Sequence, residues 1–540
     1  MTGIPATQNA VQIVGVDQIQ VVSDKPVDPV GPHQMLLQVE ACGICFSDTK
    51  LLHAFDSHPR KSEIVKGLSA EELAEIPSYQ PGLAATVPGH EPVGRVVAVG
   101  DAVANWKAGD RVLVQADWKH LRTARSNGAF GYNFEGALQE YVVIDERCVI
   151  SPEGEKFLLP VAEAPSAAAV GLIEPWATVE AAYALRERRG LKPGGTLLVV
   201  ADAGTDVSSL DALTAHAEPA EVVRAAPADL TGLDDRRFDD IVYFGADAAV
   251  LSELGERLGL HSILNVVLGD RTIEGPVKID VGRVHYDYIR YVGTTGHDAA
   301  EGYGWIPETG NLRAGDRVAI IGAAGPMGMM HTIRAVTLAS EGIPIGSIDA
   351  TDLNDDRLAH LASEVDQVAA RYGVPVRYLN TGTSPLEAGY TYIACMVPVP
   401  ALVAQAVTLA GPRGIVNAFA GIPAGTYGEV DLQHIVSQQV FLMGTSGSDV
   451  SDMATVLRKI ESGVIDTTVS LDAICGIAGF EDAIQSVMDR TSGGKIMVFP
   501  SLPDQGLVRL VDLPEKLPHV AAKMVGGRWT KDAEDALLGR

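Results

Sequence analysis

Cysteine, histidine and glutamate occur in two short segments that lie far apart in the chain. The first segment is Ala-Cys-Gly-Ile-Cys-Phe-Ser-Asp at 41–48, and the second is Gly-His-Glu at 89–91. A thiolate at Cys45, an imidazole at His90 and a carboxylate at Glu91 form a mixed sulfur, nitrogen and oxygen ligand set. Such a set suits a borderline-soft ion such as Zn²⁺ with one coordination position open for a substrate. The sequence therefore predicts one catalytic metal ion.

A glycine-rich turn in the second half of the chain provides another motif. Its residues are Gly322, Ala323, Ala324, Gly325, Pro326, Met327 and Gly328. The turn follows the apolar run 318–321 and precedes a helical stretch, which is the context of a dinucleotide-binding fingerprint. Asp352 follows at the distance where a carboxylate accepts the ribose 2′-hydroxyl group. Because this carboxylate repels a 2′-phosphate, NAD is favoured over NADP. Arg357 would weaken that preference, or it would lie along the adenine or face solvent.

The two motifs together resemble those of the medium-chain, zinc-dependent alcohol and polyol dehydrogenases. The Gly-Pro-Met-Gly turn and Leu-Ile-Glu-Pro-Trp at 172–176 are most similar to the sorbitol-dehydrogenase and sugar-phosphate-reductase branch. The resemblance implies one zinc ion and hydride transfer between NAD and a secondary alcohol or ketone of a polyol, sugar or sugar phosphate. It also implies an α/β chain with a barrel-like, mostly-β (GroES-like) catalytic domain and a Rossmann coenzyme domain.

The resemblance extends to a further carboxylate. Glu174 matches the Glu-Pro that polyol-dehydrogenase-like members carry where classical alcohol dehydrogenases place a cysteine. It would be a third or exchangeable metal ligand, or it would hold the metal-bound water, while Glu91 would serve both as a ligand and in catalysis. The alternative for Glu174 is an ordinary glutamate at a helix start, where a negative charge is favourable.

The resemblance also implies how a proton is handled. Asp48 would orient His90, because metal-bound imidazoles usually donate their other N–H group to an acceptor. Ser47 would take the proton of the substrate hydroxyl group. Lys50 stands where many relatives carry a relay histidine, and whether His53 replaces that histidine is open.

Composition and charge exclude several function classes. The 540 residues carry 69 acidic and 42 basic side chains, which gives a net charge of −27. This charge repels phosphate backbones and argues against nucleic-acid binding. A strongly anionic substrate would need a local basic pocket of its own.

The sequence also indicates a cytoplasmic location. The N-terminus has no basic start followed by an apolar segment, so we expect no signal peptide. No apolar run approaches the roughly 18 residues that would span a bilayer. The five cysteines are scattered, which suits a reducing cytoplasm. We expect a small-molecule substrate as the partner, with neither nucleic acid nor membrane.

A repeated pattern indicates a tandem duplication of the nucleotide-binding domain. The segment 191–204 matches 312–325, and 264–269 and 291–296 match 416–421 and 442–447. The change of offset predicts a loss between 204 and 238, where the phosphate-binding turn, its helix and the next strand would lie. The first copy has Asp202 and Asp206 at its turn, and these carboxylates would repel a pyrophosphate.

Five segments follow from these patterns. They are the catalytic domain at 1–189, a degenerate Rossmann-like first copy at 190–300, the NAD-binding second copy at 311–455, a return to the catalytic domain at 456–500 and a C-terminal extension at 501–540. In the resembled family, two coenzyme domains pair edge to edge across a dimer axis. The first copy would take the partner's place inside one chain, as an internal pseudo-dimer. The chain would then be a monomer, or a homo-oligomer joined through another surface.

The spacing of the two ligand segments predicts an insertion at 54–86 that overhangs the metal cleft. It contains a short helix with a capping box at Ser69 and Glu72. Three aromatic residues further along, Phe130, Tyr132 and Phe134, are either sugar-stacking or packing residues.

Two other functions remain open at this stage. One is an amino-alcohol dehydrogenase of the threonine type. The other is a non-catalytic nucleotide-sensing or scaffold protein, in which the duplication and the missing relay histidine mark abandoned chemistry. The intact ligand set argues against the second.

Overall fold

The computed structural model describes residues 3–185 and 187–540, which divide into two compact units. The first unit runs up to residue 177 and resumes over Ser448–Arg540, and the second unit is Thr178–Gly447. The C-terminal extension is therefore part of the first unit, and both nucleotide-binding copies lie in the second. The boundary between the two units lies after residue 177, inside one helix. It precedes the boundary at 189 that the sequence suggested.

The strands of the described residues are numbered in chain order. They are β1 Thr7–Gly15, β2 Gln18–Pro26, β3 Gln34–Ile44, β4 Ile64–Lys66, β5 Glu91–Val99, β6 Arg111–Val114, β7 Asp117–Thr123, β8 Asn127–Ala129, β9 Tyr141–Asp145, β10 Leu158–Pro160, β11 Thr196–Ala201, β12 Glu221–Ala225, β13 Phe238–Phe244, β14 Leu258–Val267, β15 Val277–Asp280, β16 Arg290–Thr294, β17 Arg317–Ile321, β18 Ser347–Asp352, β19 Val376–Asn380, β20 Tyr390–Cys395, β21 Ala410–Ala418, β22 Tyr427–Val430, β23 Phe441–Met443, β24 Leu471–Cys475, β25 Lys495–Val498 and β26 Val508–Arg509.

The α-helices are numbered in the same way. They are α1 Phe46–His53, α2 Ala70–Ala74, α3 Ala167–Gly171, α4 Ile173–Ala181, α5 Leu210–Ala217, α6 Ala248–Glu256, α7 Val281–Tyr286, α8 Ala299–Gly304, α9 Pro326–Thr337, α10 Asp355–Tyr372, α11 Pro400–Leu409, α12 Leu432–Gln438, α13 Val450–Glu461, α14 Phe480–Met488, α15 Leu513–Lys516, α16 Pro518–Ala521 and α17 Lys531–Leu538. Short 3₁₀ helices lie at Pro59–Lys61, Pro227–Leu233, Leu338–Glu341, Thr467–Ser470, Ile477–Gly479 and Leu510–Asp512. No helix in the described part of the chain is long and apolar enough to cross a membrane.

The first unit is built on an eight-stranded sheet. Its order is β10-β6-β5-β3-β25-β24-β26, and β9 also pairs with β3. Strand β3 lies at its centre and is buried along nearly all of its length. The antiparallel register of β3 with β5 places Gly43 opposite Glu91, and that of β3 with β25 places Ile44 opposite Ile496. Segments that are remote in sequence therefore meet at the end of β3.

The insertion and the aromatic residues of the first unit form packed structure. Helix α2 begins with the expected capping box, since Ser69 and Glu72 bond each other's backbone. Strand β4 pairs with β7, which joins the insertion to a three-stranded sheet. Phe130 and Phe134 are buried against Trp118, so they are packing residues. Of the two alternatives that the sequence left open for these side chains, their burial supports packing.

The C-terminal extension packs onto the catalytic domain through a helix cap. The carboxylate of Glu534 in α17 accepts the N–H groups of Ala167 and Ala168, at 2.6 and 2.9 Å. These are the first residues of α3, whose N–H groups have no partner within the helix. Glu534 is buried, and the Trp529 indole also donates to it at 3.4 Å. The extension thus caps the helix that leads into α4.

The second unit contains two parallel sheets of the Rossmann type. The first copy has the order β12-β11-β13-β14-β16 and the second has β19-β18-β17-β20-β21-β23. The loss in the first copy lies between 204 and 238, as the sequence suggested, but the elements named as lost were wrong, because that copy keeps a first helix, α5, and a following strand, β12. The elements without a counterpart are the next helix and the edge strand, α10 and β19. The change of offset between the matching segments shows that residues are missing, but it does not show which helices or strands those residues formed.

The two copies pack against each other through equivalent elements. Strands β15 and β22 form an antiparallel ladder that pairs Val277 with Val430 and Asp280 with Tyr427. A helix follows each strand, and an aspartate caps each helix: Asp280 for α7 and Asp431 for α12. Apolar residues of both copies form one continuous buried core. Strand β16 of the first copy also lies against β23, which ends the second sheet, so the first copy covers that edge.

Candidate active site

Three side chains of the first unit bring their ligand atoms together. The sulfur of Cys45, a ring nitrogen of His90 and a carboxylate oxygen of Glu91 all lie within 4.8 Å of one another. Cys45 directly follows β3, and Glu91 begins β5 opposite Gly43, so the sheet register creates the cluster. Among the described residues this is the group that could hold a metal ion. It is the ligand set that the sequence predicts.

Asp48 fixes the orientation of the imidazole. Its Oδ1 lies 3.2 Å from Nδ1 of His90, and its Oδ2 accepts the backbone N–H group of Cys45 at 2.8 Å. Nε2 of His90 faces the Ser47 hydroxyl group at 3.0 Å. Burial lowers the pKa of His90, but Tyr132 and Asp48 raise it, and the net shift is upward. The two residues predicted to orient the imidazole and to handle the proton therefore contact it.

Glu91 has one paired oxygen and one unpaired oxygen. The buried Lys495 donates to Oε1 at 2.6 Å. Oε2 is buried and has no hydrogen-bond partner within the part of the chain that the structure describes. Gly43 leaves room for this atom, because a Cβ at that position would lie 2.2 Å from it. Unpaired buried carboxylate oxygens are costly, and a cation beside the cluster would remove that cost, so the donor set fits Zn²⁺.

Glu174 lies beside the three-residue cluster. It stands in the first turn of α4. Burial and the Glu91 carboxylate raise the pKa of Glu174 to about 7, against the opposing effects of His90 and Lys495. Its carboxyl group therefore senses the charges of the site. A ligand role for Glu174 stays a prediction.

Tyr132 connects the metal cluster with the insertion. Its buried ring lies 5.5 Å from the His90 ring and stacks on the His58 ring at 5.1 Å, between centroids. The Cζ atom of Arg60 lies 5.2 Å from the centre of the same ring. The third aromatic residue named from the sequence is thus part of the surroundings of the site, and two insertion residues contact it.

The proton-relay question has a partial structural answer. His53 is half-exposed and hydrogen-bonds Asp17, also exposed, in the described structure. Lys50 is exposed on the same helix, α1. The hydrogen bond of His53 thus goes to a surface carboxylate, Asp17, and not to Ser47.

The glycine-rich turn in the second unit has the expected geometry. The N–H groups of Gly322 and Ala323 donate to the Thr351 carbonyl oxygen at 3.0 and 2.8 Å, and Gly322 has a φ of +81°. Gly325 is the N-cap of α9, and Pro326, followed by Met327, begins the helix. A Cβ on Gly328 would lie 2.3 Å from the Gly322 carbonyl oxygen. The turn thus leaves the first N–H groups of α9 available to an anion.

Asp352 is the last residue of β18, which pairs with β17, the strand that leads into the glycine-rich turn. One of its oxygens accepts the N–H groups of Leu353 and Asn354, at 2.8 and 3.1 Å. The same oxygen accepts the Arg357 guanidinium group at 2.5 Å. Arg357 therefore neutralises part of the charge that discriminates against a 2′-phosphate, as the sequence indicated.

The corresponding turn of the first copy is closed by an ion pair. Arg271 contacts Asp202 at 3.0 Å, and the Tyr243 hydroxyl group donates to the same carboxylate at 2.9 Å. A carboxylate paired in this way stands at the end of β11, where the second copy has its glycine turn. This arrangement supports the prediction that the first copy does not hold a pyrophosphate.

Sequence reasoning missed three side chains around the metal cluster. Lys495 was visible only as part of Gly-Gly-Lys near the end of the chain, and no spacing argument connects it with Glu91. His58 and Arg60 lie in the insertion, for which the resemblance offers no counterpart. Each is brought to the site by strand register or loop packing, which the sequence does not display.

Comparison with known proteins agrees with this geometry. Residues 31–153 match the family described as "Alcohol dehydrogenase GroES-like domain". This part of the chain is therefore similar to the GroES-like domain of alcohol dehydrogenases. The resemblance to medium-chain zinc alcohol and polyol dehydrogenases, and the combination of GroES-like and Rossmann folds, are confirmed.

Individual relatives cover parts of the chain. It is 25% identical over 290 residues to mannitol-1-phosphate 5-dehydrogenase from Aliivibrio fischeri, which covers 50% of this chain and 64% of that protein. It is 33% identical over 134 residues to D-altritol 5-dehydrogenase from Agrobacterium fabrum, covering 23% and 33%. The chain thus spans less than two thirds of the length of these curated relatives.

A solved structure extends the fold comparison to most of the chain. The crystal structure of 2R,3R-butanediol dehydrogenase from Bacillus subtilis aligns with a TM-score of 0.52 at 16% sequence identity. The alignment covers 92% of this chain and 100% of the other. At this identity the similarity concerns the fold.

Proposed function

We propose that this protein is a zinc- and NAD-dependent dehydrogenase that interconverts a secondary alcohol and a ketone of a polyol or sugar. The observation that carries the proposal is the cluster of Cys45, His90 and Glu91. Within it, Oε2 of Glu91 is buried and has no hydrogen-bond partner among the described residues. The glycine turn at the start of α9 supplies the second requirement, a dinucleotide site. The names of the mannitol-phosphate and altritol relatives support the substrate class.

The residues of the site divide the chemistry among them. Cys45, His90 and Glu91 would hold the zinc ion, with Glu174 as an additional or exchangeable ligand. When bound, the ion polarises the substrate oxygen and lowers the pKa of its hydroxyl group. The Ser47 hydroxyl group would accept a hydrogen bond from the substrate hydroxyl group and relay the departing proton to solvent water, and Asp48 keeps the imidazole in one orientation.

Other side chains set the charge and the cofactor choice. Lys495 balances the charge of Glu91 through its ion pair with Oε1. Asp352 accepts the ribose hydroxyl groups and favours NAD, within the limit set by its pairing with Arg357.

An assay with a polyol panel tests the proposal. We expect reduction of NAD with at least one linear polyol or polyol phosphate, weaker reduction of NADP, and loss of activity after zinc is chelated. Restoring zinc should restore the rate. Activity on L-threonine but on no polyol would favour the amino-alcohol alternative, and bound nucleotide without turnover would favour a sensing or scaffold protein.

The packing of the two copies supports a further proposal about assembly. The first copy covers the β23 edge of the second sheet with β16, and it also joins the second copy through the β15–β22 ladder and the shared core. A second chain could not use that edge without displacing the first copy. The protein would therefore be a monomer, or an oligomer joined elsewhere, with one NAD per chain.

Light scattering combined with amide exchange tests this assembly. We expect the mass of one chain, 56.9 kDa, or an oligomer whose dissociation leaves the amides of 277–280 and 427–430 protected. An intramolecular ladder keeps its protection on dilution, because its formation does not depend on concentration. A dimer joined through 312–447, with protection lost on dilution, would disprove the internal pseudo-dimer.

A further inference from the structure

Basic side chains gather beside the metal cluster although the protein as a whole carries a net charge of −27. Burial, Arg60 and Lys50 together lower the pKa of His58 to about 4, which places both cations within electrostatic range of that ring. His58 in turn stacks on Tyr132, whose other neighbour is the His90 ring. Two cations thus lie within electrostatic range of His58, and one of them, Arg60, contacts the Tyr132 ring beside His90.

Arg60 is the cation of this group with the most defined geometry. Its Nη2 donates to the Asp117 carboxylate at 3.0 Å, and its Cζ lies over the Tyr132 ring. A guanidinium group has five N–H donors, so its bonds to Asp117 and Tyr132 leave further donors available. The side chain is 32% exposed, which allows a ligand to reach it. Asp117 also fixes the plane of the group.

The backbone that carries Arg60 is held firmly. The short helix Pro59–Lys61 begins at His58, whose ring accepts the Arg60 N–H group at 3.3 Å. Lys61 is buried and donates to the carbonyl oxygens of Gln80 and Ala84. The Asn133 amide donates to the Ser62 carbonyl oxygen at 3.0 Å. A guanidinium group on such a support is preorganised, so little order is lost on binding.

We propose that Arg60 binds an anionic group of the substrate, a phosphate or a carboxylate, while the reacting carbinol lies at Cys45, His90 and Glu91. This inference rests on the proposed function and names its substrate class as acidic polyols or sugars. Arginine matches the paired oxygens of phosphate and carboxylate groups with two parallel N–H donors. The Tyr132 ring neighbours both the Arg60 guanidinium group and the His90 ring, so one substrate molecule can place its anionic group at Arg60 and its carbinol at the metal cluster.

A matched set of substrates tests the inference. It comprises one linear polyol, its terminal phosphate and the corresponding aldonate, each assayed with the zinc-loaded full chain and NAD. We expect kcat/KM to be higher for the phosphate or the aldonate than for the neutral polyol, and the preferred one of the two identifies the natural group. Arg60→Ala should raise KM for that substrate about 10- to 100-fold more than it raises KM for the neutral polyol.

Control variants separate a binding role from a structural one. Arg60→Lys keeps the charge and should recover part of the loss, whereas Arg122→Ala, which removes an exposed arginine of β7, should change nothing. Inorganic phosphate should inhibit neutral polyol oxidation competitively in the wild-type protein, which decides the question even if Arg60→Ala fails to fold.

The outcomes distinguish this inference from the proposed function. Equal kcat/KM for neutral and anionic substrates, without phosphate inhibition, would overturn the role of Arg60 and leave the dehydrogenase intact. An unaltered anion preference in a folded Arg60→Ala variant would also overturn it. Absence of turnover on every polyol would instead overturn the proposed function.

Discussion

Replacing Cys45 by serine is expected to remove the bound zinc ion and to lower turnover by about a thousandfold or more, because metal activation of the substrate oxygen supplies several kcal/mol. The thiolate is the soft ligand of the set, and a serine hydroxyl group is neutral at the pH of the assay. Zinc content by elemental analysis and initial rates with NAD measure the two effects on one sample.

The chain provides a matched control for this substitution. Cys148 is buried in the core of the same unit and lies outside the three-residue ligand cluster. Cys148→Ala should keep a full zinc content and most of the activity, with only a modest loss of stability. Full zinc content in Cys45→Ser would contradict the assigned ligand set.

Replacing Lys495 by methionine is expected to lower the free energy of unfolding by roughly 3–5 kcal/mol, because it leaves a buried carboxylate without its cation. The ammonium group of Lys495 lies 2.6 Å from Glu91, and both side chains are buried. Burial lowers the pKa of Lys495, but the Glu91 carboxylate and its anionic neighbours raise it by more than burial lowers it. The net shift of the pKa is upward, so the lysine is charged. Denaturant unfolding followed by tryptophan fluorescence measures the change, since four of the five tryptophans lie in the first unit.

Two comparisons identify the cause of this loss. Lys516→Met breaks an exposed pair with Asp512 in the same unit and should cost less than about 1 kcal/mol. The double variant Glu91→Gln/Lys495→Met removes both charges and should recover much of the stability. A single Lys495→Met variant as stable as the wild-type protein would show that Glu91 is balanced by something other than this lysine.

The sequence predicted the parts of the site that lie in short continuous motifs. Cys45, His90 and Asp48 stand in segments whose order is characteristic, and the structure brings them together as expected. The glycine turn was equally predictable, because strand, turn and helix follow one another directly. In both cases the local sequence determines the geometry that matters.

The remaining contacts depend on strand register and loop packing. Lys495 reaches Glu91 because β25 and β5 flank β3 on opposite sides, and such pairing between remote strands leaves no periodic signal. Arg60 contacts Tyr132 through an insertion whose path is set by the buried Lys61. These contacts needed the folded chain.

The duplication was visible in the sequence, but its internal detail was not. Matching segments at both ends of the copies revealed the repeat, whereas the shortened middle retained too little similarity to align. The structure shows that α5 and β12 survive and that counterparts of α10 and β19 do not occur between 187 and 311. In a segment whose sequence has diverged, packing against the remaining sheet determines which residues form a helix and which form a strand.

Metal analysis and calorimetric titration of NAD and NADP into one purified sample test the central claim most directly. We predict one zinc ion and one NAD site per chain, with weaker binding of NADP. One NAD per chain also agrees with a first copy whose turn is closed by Arg271 and Asp202. A protein that is correctly folded but binds no zinc, or no nucleotide, would contradict the assignment as a zinc-dependent dehydrogenase.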